Sequence, residues 1–423
     1  MKKILLTTAC AVMAFGMDTI PVEKREFSAS KFVPDISLVL DASYVDRNVK
    51  DHEVSHLELE GIAHGLYGSH SHGEHAHSSY NASNGFNLNY AELVLSSSVD
   101  PFFEMNGVFH YSEEGVEIEE AYVTSTALDY GLRARLGKFN SNFGYLNEQH
   151  HHSWDFNDMP LVYEGFLGMH GINEKGIQFQ YTAPTDFYLM AGVEILQGDN
   201  EQMFGNSEIH SEVDVNGTDF DFETEGEDAS TLTVAYVKTA FDIGETAILT
   251  GLSYASGTSH IDHTDDEEAH MFIADSKLYG FDLVAKYNFD SYSFFKLQTE
   301  VLYRDMDGTV TKFNDDQTAL VTPSVKKEQA GAYIQAIYAP SKTWAMGLRY
   351  DTFFKNTIND VDGADDLAKY SVMTEYKTSE FARFRLQYNR NEALSEDEEG
   401  RVDMNTIIFS ANISIGAHGA HAF

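Results

Sequence analysis

Residues 405–416 read NTIIFSANISIG, and the alternation within this stretch decides the fold class. Its apolar side chains fall at every second position, and they are Ile407, Phe409, Ala411, Ile413 and Ile415. Small polar residues stand between most of them, as at Thr406, Ser410 and Ser414. Because successive side chains of a β-strand point to opposite faces, this period of two predicts a strand with one apolar and one polar face.

The same alternation recurs along the chain, for example in LYGFDLVAKYNF at 278–289 and in EFARFRLQYNR at 380–390. A segment of about ten residues is long enough for a tilted strand to cross a bilayer. We predict about sixteen such strands, an even number as in closed single-chain bacterial barrels. They lie at 36–46, 85–98, 102–112, 116–125, 130–140, 175–183, 186–198, 230–241, 246–257, 276–289, 293–305, 328–339, 343–353, 366–377, 380–390 and 402–416.

The connections between these segments alternate in length. Short turns such as DIGE at 242–245 and APSK at 339–342 alternate with long stretches such as 47–84 and 199–229, and only 113–115 breaks the pattern. Short turns at one rim and long loops at the other are typical of outer-membrane barrels, whose sheet must close because lipid offers no partner to an unpaired edge. The predicted fold class is therefore all-β, a transmembrane antiparallel up-and-down β-barrel.

The start of the chain, MKKILLTTACAVMAFG, combines a basic pair, an apolar run and small residues, which predicts a signal peptide at 1–16. We expect a periplasmic segment at 17–34 and the barrel at 35–423, in the outer membrane of a Gram-negative cell. Cys10 is the only cysteine, so the mature chain is predicted to contain no disulfide. The terminal Phe423 fits recognition by the outer-membrane assembly machinery.

Composition and charge narrow the choice of partners. The formal net charge of −39 argues against nucleic acid as a partner. The expected partners are outer-membrane lipid and lipopolysaccharide, besides the assembly machinery. No catalytic motif or recognisable arrangement of serine, histidine and acid is present, so the chain is predicted not to be an enzyme.

The polar faces of the strands are predicted to line a wet lumen, because sixteen strands make a barrel too wide for side chains alone to fill. The charged residues expected there are Arg133, Arg135, Lys296, Glu300, Arg304, Arg349, Asp351, Arg383 and Arg385. The long segment 141–174 carries Asp155, Asp158 and Glu164 and no lysine or arginine. We predict that it folds inward as a constriction loop, with its acids opposite the arginines of the wall. An ordered cap over the mouth of the barrel is the alternative.

Three motifs carry a family resemblance: GVEIEEAYV at 115–123, LRARLGKFNSNFGYLN at 132–147 and NDMPLVYEGFLG at 157–168. They resemble the phosphate-selective porin O and P superfamily, and most closely its outer-membrane members with a histidine-rich first loop that are described as zinc-regulated. The resemblance implies a porin-like diffusion channel that assembles as a homotrimer. Phosphate selectivity does not carry over, because the constriction segment lacks the cations that would bind an anion.

Histidines concentrate on the predicted long-loop rim. SHSHGEHAH at 69–77 supplies the expected metal ligands His70, His72, Glu74, His75 and His77, and the constriction segment adds His150, His151 and His152. Imidazole and carboxylate together suit Zn²⁺ or another divalent cation, yet the spacing matches no fixed metal motif. We therefore expect weak binding by the loops and no required cofactor, and a purely solvated loop is the alternative.

The sequence thus favours a passive channel for small hydrophilic solutes, with metal cations as the favoured cargo. The alternative is a surface barrel with a closed lumen that binds metal or acts as an adhesin.

Overall fold

The computed structural model describes residues 34–54, 56–63, 80–113, 115–200, 202–227, 229–264, 268–364, 366–396 and 400–416. The predicted signal peptide, nearly all of the segment 17–34, and the histidine-rich stretch with His70, His72, Glu74, His75 and His77 lie outside the described residues. No helix of the described part is long and apolar enough to cross a membrane.

Sixteen antiparallel strands form a closed barrel, which confirms the predicted fold class. They are β1 (Asp35–Arg47), β2 (Gly85–Ser98), β3 (Phe103–Ser112), β4 (Gly115–Ser125), β5 (Leu132–Asn140), β6 (Asn173–Thr182), β7 (Tyr188–Leu196), β8 (Leu232–Ile243), β9 (Thr246–His263), β10 (His270–Asn288), β11 (Phe294–Phe313), β12 (Ser324–Ala339), β13 (Trp344–Ile358), β14 (Leu367–Ser379), β15 (Ala382–Glu396) and β16 (Gly400–Gly416). Each strand pairs with its neighbours in sequence, and β1 closes the ring against β16 from Ser37↔Gly416 to Arg47↔Thr406.

The outer surface of the barrel is apolar, as the alternation predicts. Phe409 is 48% exposed, whereas the adjacent Ser410 is 7% exposed and faces the lumen. The same contrast separates Leu386 from Gln387. Because so large an apolar surface is unfavourable in water, this belt indicates a lipid environment.

Several strands extend beyond their predicted ends, and the hairpins from β9 to β11 are examples. β9 and β10 continue to the pair His263↔His270, and β11 continues to Phe313. These extensions contain polar residues such as Ser259 and Asp262, and the backbone pairing nevertheless persists. Outside the bilayer a hairpin does not need an apolar outer face, so alternation marks the part of each strand that contacts lipid rather than its full length.

The acidic stretch at 199–229, predicted as a loop, also contains regular structure. Ile209–Val215 pairs with Thr218–Thr224 in a hairpin. Asn216 and Gly217 form its turn with φ of 55° and 83°. Asn-Gly is the dipeptide that tolerates two successive positive φ angles best, so the sequence itself indicates a hairpin turn at this position.

The main hydrophobic core lies inside the barrel. The segment between β5 and β6 packs inside the barrel and contains a 3₁₀ turn (His151–Ser153) and the helix α1 (Leu161–Leu167). Pro160 precedes this helix, and Gly168, with φ of 71°, ends it. The core includes Phe143, Trp154, Leu161 and Phe166 from this segment, Leu57, Leu59 and Ile62 from the first long loop, and Leu278, Leu302 and Phe353 from the wall.

Candidate constriction site and its metal-ligating cluster

Glu300 on β11 anchors the inward segment, which we call the constriction loop (residues 141–172). The backbone N–H groups of Tyr145 and Leu146 donate to its two carboxylate oxygens at 2.8 and 3.0 Å. The hydroxyls of Tyr163 and Tyr333 donate to the same carboxylate at 2.7 and 2.5 Å. Because the carboxylate is fully buried, the three donors from the loop hold it against the wall, and the hydroxyl of Tyr333 on β12 is the fourth donor.

The acidic side chains of the constriction loop form ion pairs with the wall. Asp158 lies 3.0 Å from Arg349 Nη2 and 2.9 Å from Lys369 Nζ. Burial alone would raise the pKa of Asp158, but these two cations outweigh it and lower that pKa below its usual value. Asp155 lies 2.7 Å from Lys296 Nζ.

Glu164 shares Lys369 at 3.3 Å, and burial raises the pKa of its carboxyl group. The acids were expected to face the wall cations across a gap. They instead contact these cations, so the electric field between the two sets of charges is largely neutralised at short range.

The predicted arginines also bind the loops that fold inward. Arg385 donates to the backbone oxygen of Trp154 at 2.9 Å and to Glu375 at 2.8 Å. Arg383 donates to the backbone oxygen of His152. Arg349 contacts both Asp158 and Asp351.

Arg304 is predicted to line the lumen, but in the structure its side chain is buried within the protein. It is 2% exposed, donates to the backbone oxygen of Ile62 at 2.5 Å, and lies 4.4 Å from the ring centroid of Phe166. The first long loop covers it, and this covering depends on tertiary packing that the strand pattern does not encode.

Arg133 and Arg135 on β5 differ from the other arginines. Arg133 is exposed and Arg135 is half-buried, with its guanidinium 4.3 Å from the ring centroid of Tyr122. Arginine stacks well on an aromatic face while it stays solvated at its edge. These two side chains therefore keep positive charge directed into the lumen.

A cavity of about 510 Å³ opens at the rim formed by the short turns. Its lining includes Lys342 and Lys377 near the turns and His152 and Arg383 deeper in the barrel. A second cavity of about 60 Å³, lined by Asp158, Glu164 and Lys369 among others, lies on another side of the constriction loop. The larger cavity thus connects the turn rim with the constriction loop.

Three histidines and three glutamates converge where the constriction loop meets β2, β3 and β4. We call this group the histidine–glutamate cluster, and it consists of Glu92, His110, Glu119, Glu120, His150 and His152. His110 Nε2 lies 3.0 Å from Glu92 Oε2 and 2.5 Å from Glu119 Oε2.

The loop histidines reach the same carboxylates. His150 Nδ1 lies 3.2 Å from Glu119 Oε2 and 3.7 Å from Glu92 Oε2, and its Nε2 lies 3.1 Å from Glu120 Oε2. His152 Nδ1 lies 3.2 Å from Glu92 Oε2. Burial opposes protonation of His150, but the neighbouring Glu119 and Glu120 carboxylates outweigh it and raise its pKa well above the usual value.

Strand register and one β-bulge assemble the wall side of this cluster. Glu92 and His110 are directly paired across β2 and β3. Between β3 and β4 the register shifts, so that Val108 pairs with Glu120 and Phe109 pairs with Ile118, and Glu119 has no partner opposite. Such a bulge re-aims side chains, and here it allows two successive glutamates to face the same histidines.

His151, expected as a ligand, lies apart from the cluster. Its Nδ1 accepts a hydrogen bond from the Tyr90 hydroxyl at 3.1 Å, and its Nε2 donates to the backbone oxygen of Asn157 at 3.1 Å. Its ring stacks on Tyr80 with the centroids 4.0 Å apart. Burial lowers the pKa of His151, and both ring nitrogens are already bonded within the protein.

Four members of the cluster, Glu92, His110, Glu119 and Glu120, are not among the residues predicted from the sequence. The one local signal was the pair Glu119–Glu120, which interrupts the strand alternation in GVEIEEAYV and so marks a bulge. Glu92 and His110 are each an ordinary lumen-facing residue of a strand, and only the register brings them together.

No protein-family model matches the chain. An uncharacterized protein of Aquifex aeolicus is 42% identical over 402 residues, which span 94% of this chain and 81% of that protein. This level of identity over most of both chains is sufficient to establish common family membership.

Solved outer-membrane structures share the fold at much lower identity. A loop L8 deletion mutant of OmpT, an outer membrane protein of Vibrio cholerae, matches with a TM-score of 0.51 at 12% identity, covering 90% of this chain and 99% of that one. The outer membrane channel DcaP of Acinetobacter baumannii matches with a TM-score of 0.50 at 11% identity over 90% and 96%. An anion-selective porin from Comamonas acidovorans gives a TM-score of 0.50 at 11% identity over 90% and 99%. The fold is therefore that of an outer-membrane β-barrel.

Proposed function

The chain belongs to the same protein family as the uncharacterized Aquifex aeolicus protein, and we propose that it is a passive outer-membrane channel for small hydrophilic solutes, with metal cations as its favoured cargo. The observation that carries this proposal is the position of His152. It lines the cavity of about 510 Å³ at the turn rim and also contacts Glu92 in the histidine–glutamate cluster. An open cavity therefore reaches from one mouth of the barrel to a residue of this cluster.

The electrostatics of the constriction loop support cations as cargo. Asp155 and Asp158 are paired with wall cations, but the cluster places Glu92, Glu119 and Glu120 around imidazoles that can also coordinate metal. His150 and Glu119 remain partly accessible, with side-chain exposures of 19% and 13%. Carboxylates in a narrow passage attract cations and repel anions.

Two of the barrels with the same fold are described as a channel and as an anion-selective porin, which agrees with passage through this architecture. We also propose membership of the porin O and P-like superfamily from the motifs at 115–123, 132–147 and 157–168, and assembly as a homotrimer. Capture of Zn²⁺ or a similar ion by His70, His72, Glu74, His75 and His77 belongs to the same proposal and rests on sequence alone.

A closed-lumen surface barrel that binds metal is the second candidate, and one observation favours it. The constriction loop contacts the wall on widely separated strands, through Glu194 on β7, Glu300 on β11 and Arg385 on β15. Its apolar side chains fill a core within the lumen.

Single-channel recording of the purified full-length chain in planar bilayers separates the two candidates. We expect stepwise conductance and, under a salt gradient, a reversal potential on the cation-selective side. A properly folded barrel that gives no conductance steps contradicts the channel and favours the closed barrel. Steady conductance with anion selectivity contradicts metal cations as the favoured cargo.

A further inference from the structure

We propose that Glu92, Glu119 and His150 form a binding site for a divalent transition-metal ion such as Zn²⁺, which fastens the constriction loop to the barrel wall. This inference deepens the proposed function and rests on it only for the effect on current. The site itself follows from the geometry of the histidine–glutamate cluster, and binding can be measured whether or not the barrel conducts.

The ligand atoms already have the spacing of a metal site. One carboxylate oxygen of Glu92, one of Glu119 and a ring nitrogen of His150 all lie within 4.8 Å of one another. With zinc–ligand bonds of about 2.0–2.2 Å, ligand atoms in a tetrahedral site stand roughly 3.4 Å apart. His150 Nδ1 lies 3.2 and 3.7 Å from the two carboxylate oxygens, so small side-chain movements would accommodate the ion.

The site holds two acidic side chains close together in a buried position. Glu92 has a side-chain exposure of 1%, and its Oε1 atom is buried with no hydrogen-bond partner among the described residues. Its Oε2 atom and that of Glu119 both approach a single atom, His110 Nε2. Two buried carboxylates held so close together repel each other, and a divalent cation between them would remove this repulsion.

The hydrogen bonds around His150 fit a metal ligand. With Nδ1 bound to the ion, the proton resides on Nε2, which lies 3.1 Å from Glu120 Oε2. A carboxylate that accepts the second ring N–H is the usual support of a metal-bound histidine, because it fixes the tautomer and the ring orientation. His152 Nδ1, 3.2 Å from Glu92 Oε2, is placed to supply a fourth ligand.

The ligand set also indicates the class of metal. Imidazole mixed with carboxylate suits Zn²⁺, Ni²⁺ or Cu²⁺, whereas Ca²⁺ and Mg²⁺ prefer oxygen ligands alone. Glu92 and Glu119 belong to the wall strands β2 and β4, and His150 belongs to the constriction loop. A bound ion would therefore cross-link the constriction loop to this side of the wall. It would also restrict the movement of solutes through the gap between the loop and the wall.

The test uses the full chain in detergent, in a background variant in which His70, His72, His75 and His77 are replaced by Asn. This background removes the histidine-rich stretch as a competing binder. Calorimetric titration with Zn²⁺ should give one equivalent, and Ca²⁺ should give none. In that background Glu119→Gln and His150→Asn should each abolish the binding, and Glu120→Gln should weaken it by about 10–100-fold, the usual effect of losing a histidine-orienting carboxylate.

His260→Asn is the matched control, because His260 is bonded to Ser207 on another part of the rim. It should leave the titration unchanged. Circular dichroism and heat-dependent gel mobility establish that each variant is folded, and Glu92→Gln provides an isosteric alternative if Glu119→Gln does not fold. A folded background variant that binds no Zn²⁺, or one whose binding survives both Glu119→Gln and His150→Asn, overturns the proposal.

Conductance in planar bilayers tests the effect of metal binding on the channel. Micromolar Zn²⁺ should reduce conductance of the background variant, and His150→Asn should remove this block. Stoichiometric binding that depends on Glu119 and His150 in a barrel without conductance supports the metal site and contradicts only the channel. Conductance that Zn²⁺ does not alter, despite binding at these residues, overturns the inferred restriction of the loop.

Discussion

Glu300→Gln should release the start of the constriction loop while the barrel wall stays intact. The carboxylate accepts hydrogen bonds from two backbone N–H groups, of Tyr145 and Leu146, and from two tyrosine hydroxyls. An amide keeps one oxygen and places an NH₂ group opposite the remaining donors. Two of the four donors therefore lose their acceptor, at about 1–3 kcal/mol for each buried group left unsatisfied.

We expect the lower part of this range, because the Tyr333 hydroxyl can rotate and also contacts Gln298 Nε2 at 2.5 Å. A loss of roughly 2–3 kcal/mol in the free energy of loop opening corresponds to a change of about 30–150-fold in the opening equilibrium. The wall strands should not be affected, since their backbone pairing does not involve the side chain of Glu300.

Proteolysis measures this local opening directly. The constriction loop contains no lysine or arginine but many aromatic residues, so chymotrypsin is the suitable probe. Cleavage within 141–172 should accelerate by the stated factor in Glu300→Gln, with unchanged heat-dependent gel mobility. Glu328→Gln is the control, because the Glu328 carboxylate is more exposed than that of Glu300. It accepts a hydrogen bond from Tyr303, which belongs to β11 and not to the constriction loop. Equal cleavage rates in wild type and Glu300→Gln would refute the anchoring role.

Three further predictions concern the lipid face, the lumen and the topology. Phe409→Arg, at a position 48% exposed on the apolar belt, should reduce folding stability in vesicles by about 2–4 kcal/mol if it lies near the midplane, whereas normal stability would contradict the assigned parity. Replacing Arg133 and Arg135 by Gln should shift the reversal potential further toward cations, and the shift should shrink as salt rises; an unchanged potential would place both outside the ion path. An epitope inserted at Gly73 should be labelled on intact cells, and labelling only after permeabilisation would reverse the predicted orientation.

The barrel wall could be predicted because lipid imposes one rule on every strand. Each lipid-facing position must be apolar, so the period of two appears even in a single sequence, as in Phe409 against Ser410. This requirement does not apply to the parts of a strand that extend beyond the bilayer. For this reason the extensions of β9 and β10 to His263 and His270, in which apolar and polar residues do not alternate regularly, lie outside the predicted strands.

The filling of the lumen was only partly predictable. Segment 141–174 combines apolar bulk with length, and this combination indicated an inward fold. The contribution of the first long loop left no such mark, because Leu57, Leu59 and Ile62 lie in a short stretch with acidic residues between them. The burial of Leu59 and Ile62 depends on contact with Gly165, where an added Cβ would lie 2.9 Å from Leu59 Cδ1. Such a close approach is a property of the tertiary structure and has no local period.

The candidate metal site shows a further limit of prediction from a single sequence. A histidine run such as 150–152 indicates metal binding by composition, but in an irregular turn the direction of each side chain depends on its contacts. His150 points to Glu119, whereas His151 points to Tyr90. The wall ligands Glu92 and Glu119 come from two strands, and their meeting depends on the register and on the bulge at Glu119.

The distribution of paired and unpaired charge determines where an electric field crosses the lumen. The acids of the constriction loop and the arginines of β13 and β15 are in contact with protein partners, so their fields largely cancel. Arg133 and Arg135 form no ion pair with other described residues, and both project from β5, next to the strand that carries Glu119 and Glu120. A field between these arginines and the histidine–glutamate cluster therefore crosses the side of the lumen bounded by β2 to β5. A cation that enters there is repelled by the arginines and drawn toward the carboxylates, so we expect the proposed cation selectivity and the proposed metal binding to coincide at the cluster.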